Sequence, residues 1–214
     1  MMPVANAIAV ASDWLPDPKM DPREHLHYVK VEPSRVWAAN GHSAIFLDVE
    51  AKPDEVGYYH LGKTKTELPA NVRIPPIDNL IPPKGEGFFT KMGVLWLRQL
   101  AVVCKVIPRA TMILRWSGGD DPAVLEVAEV LSEKDQRKRS ARHFEIPTTG
   151  STSNVKGGVN PRYLLRAVQS LGCLDLDQDG KDDRTFDLYR EGDSYNPFRV
   201  DGPRGFAIIM PVRV

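Results

Sequence analysis

Apolar and polar positions along the chain change rhythm several times, and each change marks the border of a short element. Val4 to Leu15 (VANAIAVASDWL) is apolar at helical spacing and stops at Pro16 and Pro18, which predicts a short helix without positive charge. His25 to Glu32 then alternates, with His25, His27 and Val29 on one side and Leu26, Tyr28 and Lys30 on the other. Arg35–Ala39 and Ser43–Glu50 read as a hairpin turned at Asn40 and Gly41. From Ala51 to Gly87 the pattern loosens to one strand, VGYYHLG, and the proline-rich connector IPPIDNLIPPKGEG. A second helix is predicted from about Thr90 to Val106, with Gly93, Trp96, Leu97, Leu100, Val103 and Cys104 on a core face. Lys91, Arg98 and Lys105 recur every seven residues on its other face, which Leu95 and Val102 interrupt. The strands ATMILRWS, AVLEVAEVL and RHFEIPTT follow.

The last stretch carries the best-marked element. In GGVNPRYLLRAVQSLG, Asn160 is placed to cap a helix, Pro161 occupies its first position and Gly172 stops it. Leu164, Leu165, Val168 and Leu171 share one face, and Arg162, Arg166 and Gln169 the opposite one. CLDLD, TFDLYRE and GFAIIMPVRV follow as strands. The helix-then-strands order therefore occurs near residues 4–50, 90–148 and 160–214. Such units predict an α+β fold of antiparallel sheet with helices gathered on one side. The proline-rich connector sets the expected boundary between a reduced first domain, 1–85, and a complete second one, 86–214.

Composition narrows the function classes. Lys+Arg and Asp+Glu both number 28, so any contact with nucleic acid must come from local patterning of charge. The two cysteines lie among apolar residues, and neither a secretory signal nor a long apolar span is visible; a cytoplasmic protein with reduced thiols is expected. No nucleophile-base or phosphate-loop signature appears, and GGDD at Gly118–Asp121 reads as a turn, so an enzyme and a cofactor are not expected. DLDQDGKDD places Asp175, Asp177 and Asp179 at calcium-loop spacing, but the twelfth position is Phe186 where a bidentate Glu belongs. An acidic hairpin turn is the preferred reading of that segment, and a metal site is only a weak candidate. The basic run KDQRKRSARH reads as a solvated loop, and His25 with His27 as structural residues.

Three phrases resemble the bacterial sliding clamp, the DNA polymerase III beta subunit family. AANGHSAIFLDV (Ala38–Val49) is similar to that family's "ATDGHRL" hairpin, IPPIDNLIP to its "FPDY..VIP" connector, and AIIMPVRV to its C-terminal "MPMRL". They occur in the family's order, with residues 86–214 resembling a third domain and 1–85 half of a second. Two positions depart from the pattern: Ser43 stands where the family has Arg, and Ile77 where it has Tyr.

The resemblance implies the DNA clamp fold and a non-catalytic processivity factor that encircles double-stranded DNA without sequence specificity. It implies a cleft for polymerase and clamp-loader peptides at Gly41, His42, Pro75, Leu80, Met210, Pro211, Val212, Arg213 and Val214. It also implies a DNA-facing set of Lys91, Arg98, Lys105, Arg162 and Arg166. Self-association into a ring is expected, with a trimer favoured over a tetramer; an open form, or a monomer that binds replication proteins without encircling DNA, is the alternative. A compact genome such as a phage's would suit so short a clamp, and no membrane contact is expected.

Overall fold

The computed structural model describes residues 1–82, 88–93, 102, 110–115, 123–129, 142–146, 156–173, 185–190 and 196–211. They fall into two compact units: Met1–Ile81 with Pro203–Ile208, and Pro82–Gly202 with Ile209–Val214.

The first unit opens with α1, Val4–Ser12, whose Val4, Ala7, Ile8 and Ala11 are buried. The helix ends before the expected Leu15, where the chain tightens into i→i−3 turns, Trp14 N–H to Ala11 O at 2.9 Å and Leu15 N–H to Ser12 O at 3.1 Å, and Trp14 is fully buried. A 3-10 turn, Glu24–His27, leads into β1, Tyr28–Val31. His25 and His27 are therefore not strand neighbours, which corrects the alternation expected from His25. His27 is buried, and its Nε2 lies 2.9 Å from the Asp21 carbonyl.

β2 (Arg35–Ala39) and β3 (Ser43–Asp48) form the expected hairpin, with Trp37 opposite Phe46 and Ala39 opposite Ala44. β4 (Gly57–His60) and β5 (Thr64–Thr66) make a second hairpin, and β4 runs antiparallel beside β1. The strand order within this unit is β5-β4-β1-β2-β3-β13, where β13 is Gly205–Ile209 near the end of the chain. Side chains alternate across such a sheet. Val29, Val31, Val36, Ala38, Ile45 and Leu47 fill one face, which α1 covers, and Trp37, Ala44, Phe46 and Ile208 form a buried cluster on the other. Burying each large side chain here is worth about 1.5–3 kcal/mol.

In the second unit β6 is Phe88–Gly93, paired antiparallel with β11, Thr185–Arg190. The start of the helix expected from Thr90 is thus a strand: Lys91 pairs with Asp187, and Gly93 with Thr185. Within the rest of that expected helix only Val102 is described, and it is helical and exposed. β7 (Ala110–Arg115), β8 (Ala123–Glu129), β9 (Arg142–Ile146) and β10 (Lys156–Val159) form a four-stranded antiparallel sheet in the order β10-β7-β8-β9.

α2, Pro161–Ser170, is capped as its sequence predicts: the Asn160 side chain accepts the Arg162 N–H at 2.9 Å. Gly172, at φ 74°, closes its far end. Leu164, Ala167, Val168 and Leu171 are buried, whereas Leu165 is half-buried. β12, Phe198–Gly202, pairs with β11 and lies against α2. The architecture is α+β with antiparallel strands, and among the described residues no helix is long and apolar enough to cross a membrane.

Candidate functional site

The first unit gathers several residues singled out from sequence around the β2–β3 turn. Asn40 organises it: its Oδ1 accepts the backbone N–H groups of His42 (3.0 Å) and Ser43 (2.9 Å) and the Ser43 hydroxyl (3.2 Å). A short Asx side chain that bonds its own backbone this way fixes a turn locally. The Asn40 N–H donates back to the Ser43 carbonyl at 3.0 Å. Gly41 adopts φ 81°, a sign that two-residue hairpin loops favour. Gly41 and His42 are exposed at the tip, and Ser43 is buried.

A residue not anticipated from sequence stands beside this turn. The Arg23 guanidinium packs so close to Gly41 that a Cβ there would lie 2.7 Å from Nη1. Asp21 orients it through two parallel bonds, Nε to Oδ1 at 2.9 Å and Nη2 to Oδ2 at 2.6 Å. Those hydrogen bonds from Arg23 hold the Asp21 carboxyl well below the usual carboxylate range. The Asp21-Pro22-Arg23 phrase carried a local signal, since Asp21 also accepts the Arg23 backbone N–H at 3.0 Å. Its approach to Gly41 depends on the 3-10 turn, for which no pattern was visible.

Next to the turn lies an apolar face. Trp37, Ala44, Phe46 and Ile208 are its buried members, and Ala39, Ile74, Ile77, Ile81 and Phe206 pack on them half-buried. The rings form a short stack, with Trp37 and Phe46 centroids 6.0 Å apart and those of Phe46 and Phe206 4.6 Å apart. Ala39 and Ala44 flank the turn, so turn and connector meet over one surface. The connector turns its three isoleucines inward and leaves Pro75 and Leu80 exposed, Leu80 at 49%.

A polar rail borders this face. Glu32 takes Lys30 at 2.7 Å, the Arg35 Nε, and a long 3.4 Å bond from the Trp37 indole. Arg35 Nη2 continues to Asp78 Oδ1 on the connector at 2.7 Å, and its Cζ lies 5.5 Å from the Phe46 ring centroid. Burial pushes the Glu32 carboxyl up, but the hydrogen bonds from Lys30, Arg35 and Trp37 outweigh it and leave the group below its ordinary value. The connector thus covers the apolar cluster, and His42, Pro75 and Leu80 are the exposed side chains beside it.

The other candidates are placed as follows. Met210 and Pro211 are half-buried, while Val212, Arg213 and Val214 lie outside the described residues. On α2 of the second unit Arg162 is exposed and Arg166 half-buried, one turn apart. Lys91 is in β6 and not on a helix face, and Arg98 and Lys105 lie outside the described residues. So do Asp175, Asp177 and Asp179; among the described residues no three His, Cys, Asp or Glu side chains gather to hold a metal ion.

No protein-family profile matches the chain, and no curated protein matches it by sequence. Solved structures do. The chain is similar to the beta sliding clamp of Caulobacter crescentus, at TM-score 0.69 and 15% identity over 99% of this chain and 63% of that one. It is similar to the DNA polymerase sliding clamp of Pseudomonas aeruginosa, at TM-score 0.66 and 15% identity over 99% and 64%. A third is the Helicobacter pylori beta clamp, solved bound to a DNA ligase peptide, at TM-score 0.69 and 13% identity over 99% and 64%. The fold is that of a bacterial DNA polymerase III beta sliding clamp, and this chain spans a little under two thirds of the length of those it matches.

Proposed function

We propose, from this clamp fold, that the protein is a shortened, non-catalytic DNA sliding clamp that encircles double-stranded DNA as a ring of identical copies and tethers replication enzymes. The observation that carries the reading is the likeness along 99% of the chain to solved beta clamps. The apolar face beneath the Asn40–Ser43 turn and the connector supports the tethering half. A peptide from a polymerase or clamp loader would lie along the exposed His42, Pro75 and Leu80 and the half-buried Ala39 beside them, with Arg23 at one end. Met210 to Val214 are the further tail contribution that the resemblance implies.

A tether works through effective concentration. A weakly bound polymerase that stays on the same DNA rebinds before it diffuses away, so processivity rises without a tight complex. Arg162 and Arg166, with Arg98 and Lys105, would touch phosphate without reading bases, which permits sliding. Closure into a ring needs a head-to-tail interface between copies, with a trimer favoured.

A second reading follows from length. A chain spanning 63% of a beta clamp suits a monomeric clamp-fold protein that binds replication proteins without encircling DNA. Light scattering after size exclusion, at several concentrations, separates the two. A discrete mass of three or four copies of the 23.9 kDa chain, with longer products on primed circular DNA, is expected for the ring. A stable monomer that still binds the Helicobacter pylori DNA ligase peptide would favour the second reading.

A further inference from the structure

We infer that Asp78, through its bond to Arg35, is a positioning residue that pins the connector across the sheet and so sets the peptide groove; this rests on the peptide-binding reading above. Within the connector the Ile81 N–H donates to the Asp78 carbonyl at 3.2 Å, and just ahead of it the Val72 N–H donates to the Pro69 carbonyl at 2.8 Å, bonds that hold local shape only. Within the first unit the connector's grip on the sheet comes from the isoleucines 74, 77 and 81 and from Asp78, and at its far end the Pro82 carbonyl accepts Arg199 Nη1 at 3.0 Å. Apolar burial is non-directional, so isoleucines alone tolerate sliding along the Trp37–Phe46 surface. A charge-assisted hydrogen bond has direction and length, and it stops the connector at one register.

Arg35 is built to receive that bond. Its Nε engages Glu32, its Nη2 engages Asp78, and Phe46 lies under the guanidinium. Glu32 is itself held by Lys30 and Trp37, so the fork is aligned before the connector arrives. With Asp78 seated, Pro75 and Leu80 stay turned outward on either side of it. Freed from the pin, the connector would have to be ordered when a peptide binds, at a cost in affinity.

The test uses Asp78→Asn, a change at a side chain 62% exposed that leaves the core intact, with Asp78→Glu as the conservative rescue. Amide hydrogen exchange of residues 74–81 is followed on the peptide-free protein, and the labelled Helicobacter pylori DNA ligase peptide is titrated at low and high salt. Asp78→Asn is expected to speed connector exchange while the β2–β3 hairpin keeps its protection. It should weaken the peptide by roughly three- to tenfold at low salt. The gap should close at high salt, where the wild-type pair is screened, and Asp78→Glu should restore both readouts. Unchanged connector exchange in Asp78→Asn overturns the pin whatever the peptide does. Faster exchange with unchanged affinity, or an affinity gap indifferent to salt, overturns its role in the groove. If the wild type takes no peptide while exchange still accelerates, the pin stands and the peptide-binding reading falls.

Discussion

At the scale of single residues the sheet of the first unit depends on positions with no room to change. Gly205 adopts φ 137°, and a Cβ there would lie 2.2 Å from the Phe46 carbonyl oxygen and 3.1 Å from the Leu47 Cα. Both obstacles are backbone, so neither can swing aside. Gly205→Ala is expected to destabilise the protein by roughly 2–4 kcal/mol, read from the urea midpoint. Glu32 offers a different check. Its carboxyl lies below its ordinary value of 4.5 in the folded protein, so its contribution is present above that value and is lost as pH falls through the folded one. Acid thermal scans should show a smaller loss of Tm across that window for Glu32→Gln than for the wild type. The polar rail was not legible beforehand, because Arg35 and Asp78 stand 43 residues apart and nothing local joins them. The turn was legible, since Asn40 and Gly41 act on their own neighbours.

At the scale of elements the contrast is between structure made locally and structure made by pairing. α2 carries its own punctuation, Asn160, Pro161 and Gly172, and forms between those marks. Asn160→Ala should remove about 1 kcal/mol, and lower Tm by about 2–4 °C for a chain of this size, measured by circular dichroism. The β2–β3 hairpin was equally readable, having a turn signal between two apolar runs. β5 was missed because Thr64, Lys65 and Thr66 are all exposed, so no apolar alternation marks them. β10 was missed because Lys156-Gly157-Gly158 offers few apolar side chains and depends on β7 for its hydrogen bonds. Thr90–Gly93 was drawn into a helix because the apolar spacing beyond it runs back to Gly93, whereas pairing with β11 decides its conformation.

At the scale of the whole molecule, a net charge of zero means that any grip on DNA is carried by a few placed cations. Reversing both Arg162 and Arg166 to Glu is expected to abolish processivity on primed circular DNA while leaving binding of the DNA ligase peptide within about twofold, because neither arginine belongs to the proposed peptide groove. Retained processivity in that variant would exclude these arginines as the DNA contact. One feature of the chain's path reaches beyond binding. β13 lies beside β3, yet it is made only after Pro82–Gly202 has been synthesised, and its Ala207, Ile208 and Ile209 are buried. On the ribosome, β3 must therefore wait with an unsatisfied edge while the whole second unit emerges. Such an edge is a template for wrong partners. Synthesis of β13, more than of the early helix, becomes the step that commits the first unit to its native sheet, and premature stops just before Gly205 should yield aggregates in place of a working half.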